Sequence, residues 1–352
     1  MKREEFKQKF GEKTYFIADI AANHDGDLAR AKMLIEKAKE AGADAAKFQH
    51  FQAKNIVSDA GFRNLETKKS HQSTWKESVY EVYEKASLPR EWTAELFNHC
   101  KDYEIDFMSS PYDFESVDLL DEFVEMYKIG SGEITWLEEI EYICKKGKPV
   151  ILATGASTME DVSLAVNLIN QYNVDLVLMQ CNTNYTGNNE NFKYLNLNVL
   201  KTFSEKFPRV VLGLSDHTEG CISVLGAVAL GARMIEKHFT DDTGREGPDH
   251  TFSLDPITWS EMVESVRTLE LALGDGIKRV EENELETVII QRRGLRFTQN
   301  LSKGTVLNRE HLSALRPAPA NSYKASELNL VVGKRINTDV FENQDVLANF
   351  LE

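Results

Sequence analysis

Two short apolar runs of this chain each end in histidine. The first reads Val210-Val211-Leu212-Gly213-Leu214-Ser215-Asp216-His217, and the second reads Met234-Ile235-Glu236-Lys237-His238-Phe239. Side chains alternate faces along a strand, so Ser215 and His217 share one face of the first run, and Glu236 and His238 share one face of the second. A helix-like segment, Gly220 to Leu230, separates them and fits a right-handed parallel crossover, which sets the strands side by side with both histidines at their carboxyl ends. A lone histidine at a strand end is more often a hydrogen-bonded structural residue than a ligand. Two neutral imidazoles at matching tips make half of a metal site with open positions.

Two lysines add an anion-binding element. Lys47 and Gln49 share one face of the run Ala45 to Phe51, and Lys128 lies inside Met126 to Ser131. A lysine is costly to bury unless an anion meets it, although each alone also suits a snorkelling or ion-paired role. Ser109, Ser110, Ser131, Glu133, Thr154, Asn182, Asn184 and Tyr185 close neighbouring runs, Asp19 closes the earliest, and Asn23 to Asp25 follow it. Cations, hydroxyls and a metal half-site together describe a pocket for a phosphorylated or carboxylated small molecule.

These residues need a scaffold that brings many strand ends to one mouth. Strand-like runs are Tyr15 to Ala21, Ala45 to Phe51, Asp106 to Tyr112, Met126 to Ser131, Val150 to Gly155, Leu176 to Asn182, Val210 to His217 and Met234 to Phe239. Helical patterns follow each: Leu28 to Ala41, Arg90 to Tyr103, Phe114 to Phe123, Trp136 to Lys145, Thr158 to Gln171, Leu197 to Phe207, Gly220 to Leu230 and Pro256 to Leu273. Eight such units predict an α/β (β/α)8 TIM barrel, whose chemistry sits on the carboxyl ends of the strands; a doubly wound open sheet is the alternative. Residues 52–89 form a long insertion with His71, Trp75, Tyr80 and Tyr83, which either covers a ligand or packs a helix on the rim through Trp75, Val79 and Val82.

The barrel is expected over 1–276 and a charged, glutamate-rich linker or helix over 277–290. A small β-rich domain is expected over 291–352, with short strands at Leu295 to Thr298, Lys303 to Val306, Leu315 to Pro317 and Val331 to Gly333. A net charge of -15 over 352 residues argues against a general nucleic-acid binder. The four cysteines, Cys100, Cys144, Cys181 and Cys221, have no metal-finger spacing and read as reduced buried thiols. The charged stretch Met1 to Lys13 lacks the apolar core of a signal peptide, and no apolar run reaches the ~18 residues of a membrane span, so a cytoplasmic protein without membrane partners is expected.

Several longer strings resemble the sialic acid (nonulosonic acid) synthase family: Ile17-Ala18-Asp19-Ile20, Asn23-His24-Asp25-Gly26, Gly42-Ala43-Asp44, Lys47-Phe48-Gln49 and Ser109-Ser110-Pro111. Further along come Lys128-Ile129-Gly130-Ser131-Gly132-Glu133, Ala153-Thr154-Gly155, Gly213 to Thr218, Glu236 to Asp249 ending in Gly247-Pro248-Asp249-His250, and Arg316-Pro317. The resemblance covers nearly the whole chain. It implies a metal-assisted condensation of phosphoenolpyruvate with an N-acylated hexose, N-acetylmannosamine or a diacetamido-trideoxyhexose, giving a nine-carbon 2-keto acid and phosphate. By similarity, Lys47, Gln49, Ser110, Lys128, Ser131, Thr154 and Ser215 would hold phosphoenolpyruvate, and Glu133, Asn184, Tyr185 and Asp249 the amino sugar. His217 and His238 would ligate a divalent ion, Mn²⁺ by family, with Mg²⁺ or Co²⁺ as alternatives; imidazole ligands alone suit Mn²⁺, Zn²⁺ and Fe²⁺ equally. The tail would be an antifreeze-like (SAF) domain that brings Arg316 to the sugar's N-acyl group across a domain-swapped homodimer.

The chain departs from the family pattern at four places. Asp19 stands where the family has a glutamate in an acid/base role; here it is the candidate for that role, against a turn or capping aspartate. Thr183 holds an asparagine's place ahead of Asn184 and Tyr185, Ala153 replaces a serine, and Ala318 a glycine. The last three departures gather on the sugar side, the change at Asp19 bears on the chemistry, and two alternatives stand beside the synthase. One is a phosphoenolpyruvate condensing enzyme acting on another sugar or a sugar phosphate, for which Lys237 and Arg245 leave room; the other is a catalytically weak sugar-binding homologue.

Overall fold

A computed structural model describes residues 6, 10–11, 13–65, 72, 75–185 and 189–352; His71 lies outside the described residues. The chain divides into two compact units, Met1–Gly274 and Asp275–Glu352. The first is built on eight parallel strands: β1 Tyr15–Asp19, β2 Ala45–His50, β3 Asp106–Pro111, β4 Tyr127–Ile129, β5 Val150–Ala153, β6 Leu176–Cys181, β7 Val211–Asp216 and β8 Met234–His238. They are hydrogen-bonded in the order β3-β2-β1-β8-β7-β6-β5-β4, and β3 lies against β4, so the sheet curls into a nearly closed barrel. This is the expected (β/α)8 architecture.

The main helices cover the outside at Leu28–Glu40, Thr93–Asp102, Phe114–Leu120, Leu137–Cys144, Met159–Gln171, Val199–Lys206, Ile222–Ala229 and Pro256–Leu273. Their starts follow local chemistry. Asp27, Asp113, Thr158 and Asp255 each accept backbone N–H groups as N-caps, and Pro256 occupies the first helical turn. Their inner faces pack against outward strand residues such as Phe16, Phe48, Leu152, Leu178 and Ile235 in the large core.

Inside the barrel a second core decides where chemistry can sit. Tyr15, Ile17, Ala45, Met108, Met126, Ile151, Val177, Met179 and Met234 fill the amino-terminal half, together with Phe6 and Phe10 from the segment before β1. Two residues further along five of the strands, the same face turns polar: Ile17 gives way to Asp19, Ala45 to Lys47, Met108 to Ser110, Met126 to Lys128 and Met234 to Glu236. Gly213 fits this packing because a Cβ there would sit 2.7 Å from Met179 Cγ and 2.9 Å from the Met234 carbonyl. The barrel is thus a sealed apolar plug with a polar layer on top.

Outward-facing polar residues are paired separately. The Lys237 ammonium donates to Asp216 Oδ2 at 2.6 Å, Ser223 and Thr218 also donate to that carboxylate, and both members of the ion pair are buried. Burial works to raise the Asp216 carboxyl, but Lys237 and these hydroxyls hold it below its ordinary value. The Arg245 guanidinium meets Asp25 Oδ2 at 2.7 Å. Lys237 and Arg245, the residues that left room for a second phosphate, are therefore both engaged elsewhere.

The insertion after β2 forms helices Ala53–Ile56, Asp59–Arg63 and Val79–Ala86, the last opened by a Ser78–Glu81 capping box. The second unit holds an antiparallel pair, β9 Gly294–Phe297 with β10 Leu312–Leu315, around a core of Leu295, Phe297, Leu307, Leu312, Val331, Ile336, Val340 and Val346. Helix Leu285–Gln291 occupies much of the stretch 277–290. The strand expected at Val331 to Gly333 is instead the end of a helical turn, Leu328–Val331, which Gly333 terminates with φ +91°. No helix among the described residues is long and apolar enough to cross a membrane.

Replacing Lys237 by methionine strips the counter-charge from a carboxylate that stays buried. Urea unfolding of the barrel, followed by circular dichroism, should lose about 3–5 kcal/mol, and adding Asp216→Asn should restore part of the loss.

Candidate active site

The strand register assembles the site directly. Asp19 pairs across the sheet with Lys47 on one side and His238 on the other, Ser215 pairs with Glu236 and with Cys181, and Gln49 pairs with Ser110. The resulting cavity, about 230 Å³ and open to solvent, is lined by Asp19, Lys47, Gln49, Ser110, Lys128, Ser131, Glu133, Tyr185, Ser215, His217, His238 and Asp249. Phe51, Ile56, Trp75, Val82, Tyr83 and Ala86 add an apolar wall from the insertion and its approach, so Trp75 and Tyr83 face the cavity while Tyr80 does not line it.

At the floor, four charges interlock. Lys47 Nζ lies 2.7 Å from Asp19 Oδ2 and 3.8 Å from Glu236 Oε2, and Lys128 Nζ lies 3.2 Å from Glu236 Oε1. Ser215 Oγ donates to Glu236 Oε1 at 3.0 Å, and Gln49 Nε2 donates to Asp19 Oδ2 at 3.2 Å. Burial pushes the Glu236 carboxyl up, but Lys128 and Lys47 pull it down to about 2. Burial also weighs against the Lys47 ammonium, yet Asp19 and Glu236 hold its pKa above the ordinary lysine value. Asp19 is raised by burial in spite of the lysine beside it. The Ser110 hydroxyl and Glu236 Oε2 are buried without a hydrogen-bond partner among the described residues. Two cations and an unspent hydroxyl around an internal carboxylate form a cradle that an anionic ligand can enter.

Beside the cradle stand the imidazoles. The His217 and His238 ring centroids are 5.3 Å apart, near enough for one ion to bond both at ~2.1 Å. Burial lowers both rings to about 3, His238 adding to the effect at His217 and Lys47 at His238, so both are neutral donors. His217 Nδ1 donates to the Asn182 carbonyl at 3.0 Å, which leaves its Nε2 lone pair bare. His238 Nδ1 is buried without a hydrogen-bond partner among the described residues. The pair fits half the shell of a divalent ion. Among the described residues no cluster of three or more His, Cys, Asp or Glu is arranged to hold one, so water and substrate would supply the other ligands.

The upper wall is rich in carboxyls and rings. Burial raises Asp249 to about 7, aided by Asp19, and raises Glu133 to about 7. Near neutrality each can therefore donate or accept a hydrogen bond. Tyr185 packs its ring 4.3 Å from His217, and Phe252 packs 4.9 Å from His238.

Two predicted residues are not on this wall. Thr154 follows the inward Ala153 and turns its hydroxyl to the Met179 carbonyl at 2.8 Å, and Asn184 is exposed while its neighbour Tyr185 takes the wall; Arg316, expected from a partner subunit, is exposed after β10 in the second unit. Glu236 is the main residue sequence reasoning omitted, although its place on the His238 face was legible. Tyr112 and Cys181 also line the cavity, and nothing in the sequence marked them.

The model of the NeuB family matches residues 34–278. This chain belongs to the NeuB family. Among NeuB-type relatives, it is 37% identical to the N,N'-diacetyllegionaminic acid synthase of Campylobacter jejuni over 92% of this chain and 95% of that protein. It is 36% identical to the pseudaminic acid synthase of the same strain, over 87% of this chain and 88% of that one. The crystal structure of N-acetylneuraminic acid (sialic acid) synthetase from Leptospira borgpetersenii in complex with citrate superimposes with a TM-score of 0.68 at 27% identity, covering 78% of this chain and 90% of that chain.

In the metal-free protein the ring ¹⁵N shifts of His217 and His238 should remain those of neutral imidazole between about pH 5 and 8, a window in which an unperturbed histidine titrates. A protonation step of either ring inside that window would contradict the buried, neutral donor pair.

Proposed function

We propose that the chain is a nonulosonic acid synthase, a carbon–carbon bond-forming transferase that condenses phosphoenolpyruvate with an unphosphorylated N-acylated hexose, N-acetylmannosamine or a diacetamido-trideoxyhexose. The carrying observation is the meeting in one mouth of a two-lysine cradle, a neutral imidazole pair and two carboxyls near 7. The relatives' names as legionaminic, pseudaminic and sialic acid synthases support it. An acceptor without phosphate fits because Lys237 and Arg245 are engaged by Asp216 and Asp25.

In this reading Lys47, Lys128, Ser110, Ser131 and Ser215 hold the enolpyruvyl carboxylate and phosphate, displacing Glu236 from part of its bonding to the lysines. Glu133, Tyr185 and Asp249 hold the sugar so that its aldehyde carbon faces carbon three of phosphoenolpyruvate. The new C–C bond forms, the aldehyde oxygen takes a proton, water adds at carbon two, and the adduct collapses to the ketone as phosphate leaves. Asp19, joined to Lys47 and Gln49 and facing the cavity, moves the proton at carbon two. His217 and His238 would hold a divalent ion, Mn²⁺ by family, which when bound would supply Lewis-acid polarisation of the acceptor carbonyl. The tail beyond residue 291 is proposed as an antifreeze-like domain of a homodimer, with Arg316 of the partner subunit reaching the N-acyl group.

Phosphate release from phosphoenolpyruvate should be assayed with Mn²⁺ against a panel of hexoses. Turnover with an unphosphorylated N-acyl hexose is expected; turnover only with sugar phosphates, or binding without turnover, overturns the assignment. Chelation should abolish activity reversibly, whereas His217→Ala and His238→Ala should abolish it beyond rescue by added metal. Lys47→Met or Lys128→Met should raise the phosphoenolpyruvate KM by about tenfold or more. Below pH 7 Glu133 and Asp249 carry their protons and above it they lose them. The sugar dependence should therefore inflect near pH 7, and Glu133→Gln and Asp249→Asn should each flatten that inflection.

A further inference from the structure

Two of the sequence strings that mark the chain, Asn23-His24-Asp25-Gly26 and Gly247-Pro248-Asp249-His250, meet across the mouth of the barrel. We propose that Asp25 and His250 are positioning residues for the acceptor: their hydrogen bond clasps the loop after β8 onto the loop after β1 and so fixes where the Asp249 carboxyl is presented. This rests on the reading above that Asp249 faces the sugar.

The clasp uses both ring nitrogens of a fully buried histidine. His250 Nε2 lies 2.9 Å from Asp25 Oδ1, and His250 Nδ1 lies 2.7 Å from Thr240 Oγ1. Asp25 Oδ2 takes the Arg245 guanidinium at 2.7 Å and Arg30 Nε at 3.1 Å, so one carboxylate collects three partners, two from the loop after β8 and one from helix Leu28–Glu40. Asp25 presents both oxygens from a left-handed backbone, φ +52°, a conformation only short polar residues and glycine adopt readily. Neither Asp25 nor His250 lines the cavity, so neither touches a ligand there.

What the clasp carries does face the cavity. Next to His250, the Asp249 carboxylate accepts from the Ala22 amide at 3.1 Å, and its carbonyl accepts from Ser253 Oγ at 2.6 Å. Asn23 Nδ2 donates to the Phe239 carbonyl and to Ser253 Oγ, both at 2.9 Å. Gly247, which opens the second string, is required by closeness: a Cβ there would stand 2.6 Å from His250 Cδ2. The same turn reaches the opposite wall, since His24 bonds the backbone of Ala86, at the end of the insertion helix, and its ring lies edge-on to Trp92 at 5.9 Å. The loop after β1 therefore ties the apolar insertion wall to the carboxyl wall.

Three variants test this. Asp25→Asn keeps the left-handed turn and removes the charge, His250→Gln removes the ring, and Gly247→Ala pushes the ring away without touching either partner. Each should raise the hexose KM about tenfold, the loss of one hydrogen bond to a charged group, with the phosphoenolpyruvate KM unchanged. Asp25→Asn with His250→Gln should be no worse than the more severe single variant. Equal rises in both KM values, or no rise in either, overturn the positioning role. Hydrogen exchange separates this outcome from failure of the functional reading: in Asp25→Asn the amides of Thr240 to Ser253 should exchange about tenfold faster while the strands do not change. Unchanged exchange there overturns the clasp whatever the substrate proves to be, whereas faster exchange in a protein that turns over no hexose retains the clasp and removes only the reading.

Discussion

Everything at the mouth of this barrel depends on placing two ammonium groups on top of an apolar core without leaving them uncompensated. Lys47 and Lys128 are both buried, and Asp19 and Glu236 balance them at 2.7 and 3.2 Å. An isolated charge in such a place would cost several kcal/mol or neutralise itself. Asp19 and Glu236 keep Lys47 charged before any ligand arrives. They also set the terms of binding, because an anion that enters must compete with Glu236 for the same ammonium groups.

That arrangement follows from the barrel's internal layering. On five of the strands inward positions turn from apolar to polar over a single step of two residues, as from Ile17 to Asp19 and from Met126 to Lys128. Below that step Phe6 and Phe10 help the methionines close the bottom. Above it lie the imidazoles, the carboxyls near 7 and the loops. The alternation that makes strands possible also sorts reactants from packing.

Much of this was legible because short strands announce themselves by composition and helices by period. The order of eight units and the convergence of Lys47, Lys128, His217 and His238 follow from it. The misreadings are local. Thr154 looked like a pocket hydroxyl, yet Ala153 takes the inward position and Thr154 satisfies a carbonyl instead. Val331 to Gly333 has β-branched composition but closes a helical turn, because burial of Val331 and the conformation of Gly333 override propensity. Glu236 was seen beside His238 but not as the counter-ion of two lysines more than a hundred positions upstream, a contact no local pattern encodes.

The outward ion pair on the last two strands has a role that its distance from the ligands conceals. Asp216 and Lys237 are direct partners in the β7–β8 ladder, as Ser215 and Glu236 are one step before them. Sliding one strand by a single residue would turn Glu236 and His238 into the helix layer and drive Lys237 into the barrel lumen. The salt bridge thus acts as an alignment pin, because the shifted register would part Lys237 from Asp216 and leave each buried charge without its partner.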